Sequence, residues 1–378
     1  MKYKTSPRWV FWGIGVFVVA VAFYFWQHQL PKSSTDFDAL TVKEIQQKLK
    51  AKPNSAERIE LLLAWQNKSS ALRDMASVLQ LSREVRLLAG PIGDSLSIAK
   101  SLMPIRGDID FNEQKAIRPF FPGAIATMRR MKDVVGSARL SSSYGTILLH
   151  EGHASQAQSY LLYALKTFEE MDSLKRCINI SMNVGSSYGV LGMHKESFRY
   201  NEKAIQLASK FQDSTSLASG LINRGNYFSD IKKQYNRAIV NFQAAARFIP
   251  KRVGFLRQMN DYNLALAYLN IGHLGLSELM LGQLLEEFKR DQAVEGIAMV
   301  EKGLSDVALK KKQYENAKEH LLLAIQNFDQ LEIDIESLNA RKQLREVYIL
   351  LGDFHSAIEL AMIIEKRNEK IFSSDKAK

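Results

Sequence analysis

A repeat of about forty residues constrains this chain more than any other feature. Gly152, Gly192, Lys233, Gly272, Lys312 and Gly352 are spaced by 40, 41, 39, 40 and 40 residues. Five residues after each stands a small side chain: Ala157, Ser197, Ala238, Ser277, Ala317 and Ala357. Seven further on stand Ala164, Ala204, Ala245, Leu284, Ala324 and Ile364, and four before each stand Leu148, Tyr188, Ser229, Tyr268, Ala308 and Tyr348. A repeat of this length holds two antiparallel helices and a tight turn. One hairpin cannot bury its apolar face alone, but stacked copies can.

The residue types follow from that geometry. Glycine at the turn adopts a left-handed backbone at no steric cost. Small residues on one helix face allow close approach of the partner helix. Tyr188, Tyr268 and Tyr348 are expected to fill the space between helices. Asp172, Asp213, Asp291 and Asp334 recur near the junctions between units, where they are expected as helix N-caps.

Seven of the eight prolines precede residue 123, so the chain beyond Gly123 is free to be almost wholly helical. Helical patterns also occupy 56–65 and 70–88. Between them and the repeats, Pro91, Pro104, Pro119 and Pro122, with Gly90, Gly93, Gly107 and Gly123, mark 90–123 as irregular. Residues 112–132 carry traces of an earlier unit through Ile117 and Ala124.

Residues 9–26 are 18 positions without a charge, edged by Trp9 and Trp12 at one end and by Tyr24 and Trp26 at the other. As a helix they span about 27 Å, close to a hydrocarbon core of roughly 30 Å. Aromatics at both edges match an interfacial belt. The bulky run Phe23–Trp26 offers no small-residue cleavage site, which favours an uncleaved anchor over a signal peptide. Lys2, Lys4 and Arg8 outweigh Lys32 and Lys43, so the N-terminus is expected inside and the array on the extracytoplasmic side. The expected organisation is 1–8 inside, 9–30 transmembrane, 31–39 linker, 40–132 atypical helical hairpins, 133–372 an array of about six units, and 373–378 a tail.

The single Cys177 excludes an internal disulfide framework and multi-thiolate zinc sites, and it reads as a buried small hydrophobe. No phosphate-cradling glycine motif or nucleophile elbow occurs. His150-Glu-Gly-His153 lacks the spacing of a zinc helix and a third ligand. No catalysis and no cofactor are expected. A net charge of +11 permits an acidic partner. A basic run, Lys232, Lys233, Arg237, Arg247, Lys251, Arg252 and Arg257, is read either as a solvated helix face or as a strip for an acidic peptide, a carboxylate tail or lipid head groups. Without a recognised reader motif, nucleic acid is disfavoured.

The pattern resembles tetratricopeptide repeats, through Tyr188…Gly192…Ser197…Ala204, Tyr268…Gly272…Ser277, Tyr314-Glu-Asn-Ala317…Ala324 and Tyr348…Gly352-Asp-Phe354-His-Ser-Ala357. It covers about 140–370, with a weaker extension to 55. It departs in its period, 40 against 34, and in lysine at 233 and 312. The resemblance implies an all-α, right-handed solenoid of antiparallel hairpins behind one transmembrane helix, and a protein- or peptide-binding scaffold. It also implies a ligand surface lined by first helices, which maps onto Asn183, Asn223, Arg224, Asn263 and Lys302, with Lys251 and Arg252 in the basic strip. Asn183, Asn223 and Asn263 recur at forty residues, and amides can clamp a peptide backbone through donor and acceptor. Polar packing inside the array is the other reading of these asparagines. A narrower resemblance is to the sensor region of tetratricopeptide-containing bacterial histidine kinases. It rests on long repeats behind one membrane helix and on the segment 369–378. It implies a sensory input module without its own kinase output.

Overall fold

The computed structural model describes residues 37–376, except 106–108, 252–253 and 332. The expected membrane helix at 9–30, the segment before it and most of the linker lie outside the described residues. Among the described residues, regular structure is all helical, and no helix is long and apolar enough to cross a membrane.

The chain divides at Ser143/Tyr144 into two compact units. The first contains α1 (Val42–Lys50), α2 (Ser55–Ala71), α3 (Met75–Ala89), α4 (Ser95–Leu102), α5 (Phe111–Ile117) and α6 (Phe121–Arg130). Thr41 and Glu44 form a reciprocal capping box at the start of α1. Ile59 and Leu62 of α2 pack on Leu81, Val85 and Ala89 of α3. Two expectations change here. The end of the linker is a 3-10 turn, Phe37–Ala39, whose Phe37 packs on Ile45, Leu61 and Ala64. The stretch 90–123 is helical in α4, α5 and the start of α6. Pro119 and Pro122 fall in the first turns of a 3-10 segment and of α6, where a missing N–H costs no hydrogen bond.

The division falls within α7 (Val134–His150), later than the expected boundary at 133. The second unit continues through α8 (Ala154–Glu170), α9 (Leu174–Val190), α10 (His194–Lys210), α11 (Ser214–Asn226), α12 (Tyr235–Ala246), α13 (Gly254–Asn270), α14 (Leu274–Arg290), α15 (Val294–Lys310), α16 (Tyr314–Gln330), α17 (Asp334–Leu351) and α18 (Phe354–Lys376). Helix α18 runs through 373–376, which had been expected as tail.

The period has a simple composition. Helices α7 to α10 and α13 to α16 each have 17 residues. Turns of three residues join them, so each helix plus turn takes about twenty residues. All six predicted turn residues have positive φ: Gly152 82°, Gly192 74°, Lys233 54°, Gly272 86°, Lys312 62° and Gly352 79°. The junctions between hairpins use the same turn, at Lys132, Asp172, Gln212 and Gln292. The next residue closes the helix by donating five residues back, as in Met193 to Tyr188 O at 2.8 Å and Ser173 to Phe168 O at 2.8 Å. This corrects the aspartates. Among those whose side chains are described, only Asp213 accepts at its helix N-terminus, from Ser216 N at 3.1 Å. Asp172 is itself the left-handed residue, Asp291 is the C-cap of α14, and Asp334 is already inside α17.

The small residues do the expected packing. Ala157, Ala238, Ser277 and Ala317 are fully buried, although Ser197 is only half-buried. Facing them on the first helices are Gly145 and Gly185. A Cβ at either would sit 3.1 Å from the carbonyl oxygen of Ala157 or Ser197, so the helices approach backbone to backbone.

One unit departs from the rule. Helix α11 has 13 residues and runs into a π-helical turn, Tyr227–Ile231. That turn holds the extra residue of the 41-residue spacing. It also corrects the register: the carbonyl that closes the turn belongs to Phe228, which accepts from Gln234 at 2.8 Å, and not to Ser229. Phe228 is buried, as a residue at this position should be.

Candidate functional site

Helices α9 and α11 are first helices of adjacent hairpins, and α10 lies beneath them. The three enclose a groove of about 250 Å³. Ser186 comes from α9, His194, Phe198 and Asn201 from α10, Asn223 and Asn226 from α11, and Tyr227 and Asp230 from the π turn. Asn201 is only 7% exposed. Its Nδ2 donates to the carbonyl of Gly220 at 2.9 Å, while its Oδ1 has no hydrogen-bond partner. Buried side-chain acceptors are normally paired, so this oxygen is an exception in the wall of the groove.

A second groove, of about 550 Å³, lies on the other face, between the second helices α10 and α12. Phe198, Phe228 and Val240 supply its apolar surface, and Glu202, Arg224, Arg237 and Asn241 its polar groups. Phe198 belongs to both grooves. Its ring centroid is 4.5 Å from that of Tyr227 and 6.1 Å from that of Phe228, and those two are 5.7 Å apart. The aromatic trio is therefore the partition between the two grooves.

The residues expected to bind a partner are scattered. Asn223 is exposed and enters the first groove. Asn183 instead donates to Thr146 Oγ1 at 2.8 Å, which is polar packing between α9 and α7. Arg224 follows Asn223 but points into the second groove, where Nε donates to Asn241 Oδ1 at 2.6 Å and Nη1 to Glu202 at 3.4 Å. Asn263 is half-buried in α13 and lines neither groove. Lys302 lies 3.8 Å from Asp306 on its own helix. Lys251 is exposed in the connection after α12, and Arg252 lies outside the described residues. The basic run is interrupted, because Arg257 is paired with Asp261 at 2.9 Å and with Glu287. Cys177 is fully buried, and burial pushes its thiol up to about 11.

Asn201 was missed in the sequence, yet a signal was present. It stands nine residues after its turn residue, as do Leu161, Phe242, Leu281 and Leu321, each no more than 1% exposed. An amide in a leucine register forgoes about 1.5–3 kcal/mol of apolar burial. This polar exception lines the first groove.

No protein-family model and no curated protein matches this chain. Solved structures do. Aspartyl phosphate phosphatase F from Bacillus subtilis is 12% identical, with a TM-score of 0.59 over 97% of this chain and 96% of that one. A Rap protein complexed with Competence and Sporulation Factor is 11% identical, with a TM-score of 0.53 over 84% of this chain and 99% of that one. The quorum sensor NprR from B. thuringiensis, in its apo form, is 11% identical, with a TM-score of 0.52 over 82% and 99%. The fold is tetratricopeptide-like. At this identity the likeness concerns the fold alone, and the grooves carry the functional reading.

Proposed function

We propose that this chain is a non-enzymatic binding module, tethered by the apolar segment 9–30, whose groove between α9 and α11 takes an extended segment of a protein or peptide. The observation that carries the reading is the unpartnered Oδ1 of Asn201, buried beside Asn223 and Asn226. A turn of the Asn201 amide toward the groove would bring this oxygen to a backbone N–H of a bound strand, and the flanking amides offer both donors and acceptors to the same strand. The Rap protein solved with Competence and Sporulation Factor lends the reading support at the level of fold. The array is read as a right-handed solenoid on the extracytoplasmic side. A second reading, a sensory input module that works through a separate output partner, is favoured by the fold shared with the quorum sensor NprR.

Phage-displayed decapeptides panned on the full chain test the reading. The expected result is an enriched sequence whose binding falls about tenfold or more in Asn201→Ala, the loss of one or two hydrogen bonds, with unchanged circular dichroism. Absence of enrichment, or binding indifferent to both Asn201→Ala and Asn223→Ala, would refute it.

A further inference from the structure

Lys52, Gly93 and Lys132 carry the left-handed turns after α1, α3 and α6, at φ of 53°, 70° and 57°. Two sets of contacts place these turns on one edge of the first unit. Leu49 at the end of α1, Ile59 near the start of α2, Ala89 at the end of α3 and Ile98 near the start of α4 share one apolar cluster. Ser143 of α7 donates to the carbonyl of Ile105 at 2.8 Å, and Arg139 to that of Met103 at 3.2 Å. Helices α4 and α7 therefore run parallel, and their first residues, Ser95 and Val134, lie level.

The edge presents apolar tips among cations. Ile92 and Met131, each 60% exposed, stand beside two of the left-handed residues, and Val134 is also exposed. Lys50 and Lys52 close α1, and Arg130 and Lys132 close α6; all four are exposed. The carboxylates beside them are engaged or withdrawn: Asp94 accepts from Ser97 N at 3.0 Å, Asp133 accepts from Gly136 N at 2.7 Å, and Glu57 is half-buried. Turn geometry does not ask for lysine, since a left-handed backbone favours glycine. The equivalent turns of the second unit carry Asp172, Gln212 and Gln292, so the cations belong to this edge and not to the repeat.

Apolar side chains projecting from a basic surface suit the boundary between lipid head groups and acyl chains. The tips stand on separate turns along one edge, which suits a fluid plane more than a single shaped partner. The length of chain allows the contact. From Leu30 to Phe37 seven residues span at most about 25 Å. Phe37 packs on Leu61 and Ala64, which lie about 9–14 Å along α2 from its start at this edge. We propose that this edge rests on an anionic phospholipid bilayer: Ile92 and Met131 enter the head-group boundary, and Lys50, Lys52, Arg130 and Lys132 meet lipid phosphates. The inference rests on the tethered reading for its proximity to the bilayer and is independent of the amide groove.

The test uses the full chain in vesicles of phosphatidylcholine, alone or with about 30% phosphatidylglycerol. Ile92→Cys, Met131→Cys and, as control, Leu72→Cys, each combined with Cys177→Ser, carry an NBD fluorophore. Leu72 is 77% exposed at the opposite turn of the same unit. Nitroxide-labelled lipid is expected to quench NBD at positions 92 and 131 about twofold or more on the phosphatidylglycerol vesicles, and to leave it unquenched at 72. Quenching is expected to be lost in about 1 M salt, and in the combined variant Lys50→Glu, Lys52→Glu, Arg130→Glu and Lys132→Glu with unchanged circular dichroism. No quenching at 92 and 131, equal quenching at 72, or quenching indifferent to salt and to charge reversal would each overturn the inference. An NBD shift with soluble polyglutamate but none with vesicles would assign the edge to an acidic protein, and would also overturn it. Flotation with pure phosphatidylcholine vesicles reports the tether separately. A chain that floats there yet stays unquenched on phosphatidylglycerol keeps the tether and overturns this inference. One that does not float there yet is quenched on phosphatidylglycerol supports this inference and refutes the tether.

Discussion

The backbone N–H of Gln234 donates to the carbonyl of Phe228, six residues back, over 2.8 Å. At neighbouring turns the corresponding bond spans five residues, as in His273 to Tyr268 and Gln313 to Ala308. The extra residue is absorbed inside the helix, as π turns absorb insertions, and such turns recur at functional sites. Here the π turn places Phe228 against one groove and Tyr227 and Asp230 against the other.

Removing the insertion should therefore be tolerated. Deleting Ser229 lets α11 continue as a plain helix of the length its neighbours have. The expected melting temperature stays within about 5 °C of the parent, while peptide capture by the amide groove is lost. Deleting Ser187, fully buried in the regular helix α9, is the control and should cost far more. Calorimetry on both would settle the matter, and equal losses would refute a stored insertion.

Two helical glycines should respond to alanine with opposite signs. A methyl at Gly225 would run into the buried ring of Phe242, whereas a methyl at Gly282 meets nothing within 4 Å. Gly225→Ala is expected to cost about 1–3 kcal/mol through overpacking. Gly282→Ala is expected to gain about 0.5–1 kcal/mol through helix propensity. Urea unfolding followed by circular dichroism measures both.

The lysine turns carry avoidable strain. Lys312 holds φ of 62° and Gly352 holds 79° at equivalent positions. Lys312→Gly should stabilise the α15–α16 hairpin and Gly352→Ala should destabilise the α17–α18 hairpin, each by about 1 kcal/mol. Hydrogen exchange at the turn amides reports the local effect in a repeat array, where units open separately.

Acid should loosen the last hairpin first. Asp329 of α16 pairs with Arg341 of α17 at 2.5 Å and with Arg367 of α18 at 3.0 Å, and Ser337 donates to it at 2.5 Å. Burial works against the charged carboxylate, but the hydrogen bonds from Arg341 and Ser337 and the two guanidinium charges outweigh it and hold the pKa at about 2. A depressed carboxylate contributes stability that is full above its unfolded value of about 3.9. That contribution is lost as pH falls through the folded value. Asp329→Asn should cost about 2–3 kcal/mol at neutral pH, because it leaves the buried Arg341 uncompensated. The variant's deficit should shrink between about pH 4 and pH 2; a deficit independent of pH would contradict the ion-pair account.

Cys177 is expected to resist thiol reagents in the native state. It is fully buried, and its thiol is pushed up to about 11, so little thiolate exists near pH 8. Ellman's reagent should react only as fast as the array opens, and immediate stoichiometric reaction would show that the helix is not packed as described.

The sequence alone determined the array. Forty-residue spacing, glycine or lysine at the left-handed position and small residues five further on are local requirements, because a turn of that handedness and a close helix contact each restrict the residue at one position. The polar exception Asn201 was also visible against Leu161, Phe242, Leu281 and Leu321. Tertiary structure decided the rest. Asn223 and Arg224 are neighbours in the chain, but consecutive residues on a helix point about 100° apart, so they enter grooves on opposite faces. Asn183 shares the spacing of Asn223, yet Thr146 engages it. The position of the extra residue before Lys233 could not be read from spacings either, since a turn counts residues without recording where a helix bulges. Whether a polar atom is left unpaired depends on every neighbour that folding brings to it, and those neighbours come from three helices.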